Sequence, residues 1–228
     1  MKLKLIANPR KDWAEELQEK LSDHLKSSGH EIVASGADAT ICIGGDGTIL
    51  YANHSNMLEG PVAGIGTKKS YICQVDRENW KGIYDVLKRK TVKIMTIKAT
   101  VNGKEYSALN DFVFHAKDYR VITIKEGDSS FRGDGIIIST ALGSASYAYS
   151  AGAEILPPES REISVVPICP YRRASSPKIV SGESKIPIET EEECAFIADG
   201  IFVANIKQKV NIEKGDDVLF FEGVGKYK

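Results

Sequence analysis

The run "ATICIG" (39–44) is nearly all apolar, and it leads into "GGDGT" (44–48) before apolar residues resume at once. A strand this short and this apolar needs burial on both faces, which a parallel sheet covered by helices provides. The segments around it fit that environment. "KLKLIA" (2–7) reads as a first strand closed by "NPR", and the following stretch places Trp13, Leu17, Leu21 and Leu25 four apart on one helical face, with Gly29 as the stop. Trp13 reads as a core residue of that face. A second helix is expected to begin after Asp46-Gly47-Thr48 and run to about Ser55. "PVAGIG" (61–66) reads as another strand, and "RENWKGIYDVLKRK" (77–90) as another amphipathic helix. This βαβα alternation predicts a doubly wound α/β unit.

Beyond about residue 92 the pattern changes to short β-rich runs broken by Gly, Pro, Asn and Asp, with only "SYAYSAGAEI" (146–155) suggesting a short helix. The expected fold class is α/β plus all-β, an N-terminal doubly wound α/β domain followed by a β-sandwich-like C-terminal domain. The boundary is drawn at 1–94 and 95–228, with the last ~20 residues expected to pack back on the first domain.

Thirty basic against thirty-one acidic residues give a net charge of −1, so nothing marks a nucleic-acid partner and any anion must be held by local geometry. Cysteines 42, 73, 169 and 194 form no CxxC pair, lie in or beside apolar runs, and read as buried reduced thiols. The four histidines have no metal-ligand spacing, so no metal site is assigned directly. With no long apolar run and no signal-like start, the expectation is a cytoplasmic protein without membrane partners.

Two glycines between a strand and a helix bring free backbone N–H groups and the positive end of a helix dipole to an anion. Asp46 in that turn would repel phosphate. It either caps the helix, works through a divalent cation, or takes a proton from an attacking hydroxyl. The spacing matches neither GxGxxG nor GxxxxGK[ST].

"GGDGT" after a buried strand resembles the signature of NAD kinases and of lipid kinases, and in variant form of phosphofructokinases. Two further segments are similar to NAD kinases specifically: "ALNDFVFH" (108–115), with Asp111 where that family more often has glutamate, and "FRGDGIIISTALGSASYAYSAGAEI" (131–155). "ADGIF" (198–202) sits where the family carries another Asp-Gly, and "PVAGIGTKKSYICQVD" (61–76) matches loosely. By this resemblance, which covers nearly the whole chain, the chain is identified as a compact member of the NAD kinase family, archaeal-like in size.

The resemblance implies phosphoryl transfer from ATP or polyphosphate to the 2′-hydroxyl of the NAD adenosine ribose, with Mg²⁺ or another divalent cation accompanying the donor. Asp46 is then the catalytic group and Gly44, Gly45, Gly47 and Thr48 the donor cradle. Asn110 and Asp111 bind ribose hydroxyls, while Ala145, Ser146, Tyr147 and Ser150 line the adenine pocket. Arg132 and Asp134 match a stretch that completes a neighbouring subunit's site, implying a homodimer or homotetramer, and Asp199 is a further NAD-binding position. Ala145 stands where the family has a hydroxyl. Lys68 and Lys69 read as solvated loop lysines, and Arg172 and Arg173 as anion or subunit contacts or as surface charge. The alternatives are a lipid- or sugar-kinase relative and a non-catalytic NAD(P)-binding module.

Overall fold

The computed structural model describes residues 1–118 and 120–226. The chain divides into two compact units, one formed by Met1–Ile94 with the stretch beginning at Val218, the other by Met95–Asp217.

The first unit runs β1 (Lys2–Ala7), α1 (Asp12–Ser27), β2 (Glu31–Ile32), β3 (Ala39–Ile43), α2 (Asp46–His54), β4 (Val62–Gly66), β5 (Val75–Asp76) and a short α3 (Ile83–Val86). The sheet order is β2-β1-β3-β4, all parallel, with β5 parallel to β4 at its end. All five residues of β3 and all five of β4 are buried, as the unbroken apolar run requires. Leu17, Leu21 and Leu25 of α1 pack with Ile41, Ile43, Ala63 and Ile65 of the sheet and with Ile83 and Val86 of α3.

The expected helix over 77–90 is not formed as such. Residues 77–82 make a 3₁₀ turn with Asn79 at non-helical φ −112°, ψ 32°, and α3 contains only four residues. Asp76 accepts a hydrogen bond from the Glu78 N–H and starts this segment as a turn. Gly82, inside the periodic pattern, weakens its continuation.

The second unit runs β6 (Thr91–Val101), β7 (Lys104–Ala108), β8 (Asp111–Ala116), β9 (Ile122–Glu126), β10 (Ser129–Gly133), β11 (Gly135–Thr140), α4 (Tyr147–Ser150), β12 (Glu162–Ile168), β13 (Lys178–Ser181), β14 (Ile186–Thr190), β15 (Cys194–Ala198), β16 (Ile201–Ile206) and β17 (Val210–Phe221). Here β10-β9-β14-β17 form one antiparallel ladder, and β13-β12-β11-β8-β15-β16 form a second sheet, also antiparallel. Their apolar faces meet in a shared core that includes Ile97, Phe112, Phe114, Ile124, Phe196 and Ile212. Phe196 stacks on Phe112 at 5.1 Å and meets Phe114 edge-on at 5.2 Å. Because successive strand residues alternate faces, Asp111 and Val113 point to the opposite side of β8 from Phe112 and Phe114. On that side Val113, Ile137, Val166 and Ile168 are covered by Ala148 and Ala153. The α4 segment is therefore held over the face that carries Asp111.

Cys42, Cys73 and Cys194 are buried, but Cys169 is exposed, which corrects the reading of four buried thiols. Strand β12 ends at Ile168, and Cys169 turns the chain with a left-handed φ of 44°.

Candidate active site

In the first unit the chain steps from β1 out to β2 in one direction and from β3 to β4 in the other. The loops leaving β1 and β3 diverge, which opens the crevice where such sheets bind ligands. Gly44 and Gly45 have φ of 143° and 98°, a region that disfavours every side chain. A Cβ on Gly44 would overlap the Thr48 hydroxyl and Asn8. Both glycine N–H groups donate to the Ile65 carbonyl, at 3.0 and 3.2 Å. This corrects the expectation that they are free for an anion. The available donors are those of Asp46 and Gly47, the first two residues of α2, whose N–H groups lie beyond the reach of intrahelical acceptors. Gly47 is exposed, and none of the described residues lies within 4 Å of the place its side chain would occupy. Thr48 is buried with its Oγ1 unpartnered among the described residues.

Asp46 is not the helix cap; that position belongs to Gly45. Its Oδ2 accepts the Tyr71 N–H at 2.6 Å and its Oδ1 accepts those of Ile72 and Cys73, both at 3.0 Å. A carboxylate offers about four lone-pair sites, so about one remains for a ligand. The side chain is thereby fixed in one orientation at the start of α2. Lys11, which the sequence reading passed over, donates from Nζ to the Gly44 carbonyl at 2.6 Å and so ties the β1 loop to the glycine turn.

In the second unit Asp199 follows β15 in a left-handed turn, φ 49°. Its Oδ2 accepts the Leu109 N–H at 2.8 Å, and its Oδ1 accepts those of Asn110 and Asp111 at 2.7 and 3.1 Å. Burial pushes its pKa up to about 6 despite those three donors. Asp199 therefore holds the turn that presents Asn110 and Asp111.

A second brace comes from some 30 residues further on. The Thr140 hydroxyl donates to the Leu109 carbonyl at 2.6 Å and accepts the Gly143 N–H at 3.0 Å, and the Ser139 hydroxyl donates to the Asn110 carbonyl at 3.2 Å. A Cβ on Gly143 would overlap that same carbonyl. The Ser144 hydroxyl donates to the Ala141 carbonyl and accepts the Leu156 N–H at 2.8 Å. The "ST…GS" spelling was visible in the sequence, but the partners of these four residues were not.

This supported backbone presents two buried polar side chains. Asn110 is 8% exposed, and its Oδ1 is buried without a partner among the described residues. Asp111 is 5% exposed; burial first and the neighbouring Asp199 second push its pKa up to about 7. Tyr147, 40% exposed, has its hydroxyl pKa raised by burial and by the nearby Cys169, Asp111 and Asp134. Asp134 in turn accepts a hydrogen bond from the Cys169 thiol, whose pKa rises accordingly. Asp111, Asp134, Tyr147 and Asp199 thus come together in this unit. Ser146 and Ser150 are exposed on the same short segment as Tyr147, and Ala145 is half-buried beside them. Arg132 does not join this cluster. It lines a separate cavity of about 530 Å³ with Lys117, Arg120, Glu192 and Glu193.

Among the described residues no three His, Cys, Asp or Glu side chains are grouped to hold a metal, and no helix is long and apolar enough to cross a membrane.

Residues 119–228 match the family model described as the ATP-NAD kinase C-terminal domain. The chain is 31% identical over 205 residues to an NAD kinase of Clostridium perfringens, covering 80% of this chain and 70% of that one. It is 30% identical over 225 residues to an NAD kinase of Thermoplasma acidophilum, covering 91% and 79%. Its fold is similar to the crystal structure of an NAD kinase from Archaeoglobus fulgidus in complex with ATP, with a TM-score of 0.84 at 23% identity over 98% of this chain and 94% of that one. The braced Asn-Asp turn, the glycine turn at the strand crevice and these similarities lead to one conclusion: the chain belongs to the NAD kinase family.

Proposed function

We propose that this chain transfers a phosphoryl group from ATP or polyphosphate to the 2′-hydroxyl of the NAD adenosine ribose, making NADP. The observation that carries this reading is the pair Asn110 and Asp111. The backbone of residues 109–111 is held by five side-chain hydrogen bonds with Asp199, Thr140 and Ser139, three of them to Asn110 and Asp111 themselves. Both side chains are buried, and the Asn110 Oδ1 has no donor among the described residues. Buried polar groups are rarely left unpaired, and an amide oxygen beside a carboxyl matches adjacent ribose hydroxyls. Tyr147 supplies an aromatic wall for adenine, with Ser146 and Ser150 as polar contacts and Ala145 as a small neighbour.

In the first unit the N–H groups of Asp46 and Gly47 receive donor phosphate oxygens at the positive end of α2. Asp46, oriented by three N–H bonds, keeps an acceptor site for the proton of the attacking hydroxyl. Mg²⁺ enters as part of the substrate, bound to the donor phosphates, where it neutralises charge. Arg132 and Asp134 serve a neighbouring subunit in a homodimer or homotetramer, and the enzyme works in the cytoplasm.

The reaction class is tested by offering radiolabelled ATP with Mg²⁺ to NAD, a diacylglycerol and a panel of sugars. Label is expected in NADP alone. Label in a lipid or sugar instead would overturn the reading.

A further inference from the structure

Two cations at the carboxyl edge of the parallel sheet are unused by the roles above. Lys11 Nζ sits on the Gly44 carbonyl at 2.6 Å and lies 6.0 Å from the centroid of the Trp13 ring. The Arg77 guanidinium lies 5.1 Å from the same centroid. Neither forms an ion pair with a carboxylate among the described residues, although ten such pairs occur elsewhere, including that of Lys68 with Glu78. Trp13 is half-buried against the α1 core, so its ring is a fixed platform for both groups. The Lys11 ammonium is also close to Gly45, 3.7 Å from where a Cβ would stand, and Gly45 caps the helix whose free N–H groups follow. Three features therefore adjoin: two positive charges outside any ion pair among the described residues, an aromatic ring that positions them, and the open end of α2.

We propose that Lys11 and Arg77, positioned on Trp13, anchor the phosphate chain of the donor. The ligand is a linear polyphosphate, either the triphosphate of ATP or inorganic polyphosphate. A phosphate oxygen on Lys11 leaves its bond to the Gly44 carbonyl intact, because an ammonium carries three donors. Arg77 takes a more distant phosphate through its planar fork. The contacts are made to phosphate alone, so both donors are bound by the same charges. This inference rests on the kinase reading above for its meaning but is measured apart from catalysis.

The test is calorimetric binding of inorganic tripolyphosphate and of ATP to the full chain, compared with Lys11→Gln, Lys11→Arg and Arg77→Gln. Losing one charge-assisted contact is expected to weaken both ligands about tenfold or more in each glutamine variant. Lys11→Arg should retain most of the affinity, NAD affinity should stay unchanged in all three, and melting temperature should stay unchanged in Arg77→Gln. No tripolyphosphate binding by the unsubstituted chain, or unchanged affinity in Lys11→Gln, overturns the proposal. Weakened ATP binding with unchanged tripolyphosphate overturns it too, since the residues would then read adenosine. An equal loss of NAD affinity and thermal stability would show Lys11 to be only a brace for Gly44. Tripolyphosphate bound through Lys11 by a chain that makes no NADP leaves the anchor standing and removes the kinase reading. NADP formation with donor KM unaffected by Lys11→Gln and Arg77→Gln does the reverse.

Discussion

Replacing Asp46 with asparagine changes two things at once, because the carboxylate proposed above to take the hydroxyl proton also accepts the Tyr71, Ile72 and Cys73 N–H groups. The amide keeps one acceptor oxygen and aims an NH₂ at a backbone donor, which is expected to cost about 1–3 kcal/mol of stability in the first unit. Loss of a general base lowers kcat by on the order of 10²–10⁴-fold. Chemical denaturation alongside steady-state kinetics at a temperature where the variant stays folded separates the two effects. Normal kcat with reduced stability would leave Asp46 a latch for the 71–73 loop.

Asp111 gives a second residue-level expectation. Its folded pKa is raised from 3.8 to about 7, and that of Asp199 from 3.8 to about 6. The stability these carboxyls contribute is complete below about pH 4 and is lost as pH rises through 6 to 7. Asp111→Asn should therefore flatten the pH dependence of unfolding and, at pH 8, stabilise the second unit by on the order of 2–4 kcal/mol, while weakening NAD binding. Unfolding curves collected from pH 4 to 8 check the sign.

At the scale of elements, α1 was legible because its apolar spacing fixes which face is buried, and β3 and β4 because an unbroken apolar run requires burial on both. Leu17, Leu21 and Leu25 lie on the buried face of α1 as their spacing predicts. Leu21→Ala, at a site with 0% exposure, should cost about 2–5 kcal/mol in equilibrium unfolding. The segment 77–90 misled because its periodicity is helical, whereas Asp76 capping and the non-helical Asn79 make a turn.

The site was legible as motifs but not as contacts. Nothing local shows that Asp199 and Thr140 secure a turn at Leu109–Asp111. That information is in the antiparallel pairing of β8 with β11 and β15, which is non-local. Lys11 escaped notice because a lysine after a proline turn carries no signal until its ammonium is seen on Gly44. Gly143→Ala tests the support directly. The added methyl overlaps the Asn110 carbonyl, so about 1–3 kcal/mol of stability and the alignment of Asn110 should be lost together. Calorimetric NAD titration of the folded variant reports the second loss.

On the scale of the molecule, a division of labour follows from the two architectures. A parallel sheet with diverging loops offers helix N–H groups and cations, which suit a phosphate donor. An antiparallel sheet pair offers a buried acceptor pair and an aromatic wall, which suit a nucleoside. The chain's net charge of −1 is compatible with this because the positive groups are local, at Lys11 and Arg77.

The most direct measurement incubates the purified chain with NAD and Mg²⁺ and either ATP or polyphosphate, with NADP read by an NADP-specific dehydrogenase. NADP formation is expected with at least one donor, abolished or strongly reduced by Asp46→Asn. No NADP from the intact chain with either donor would contradict it.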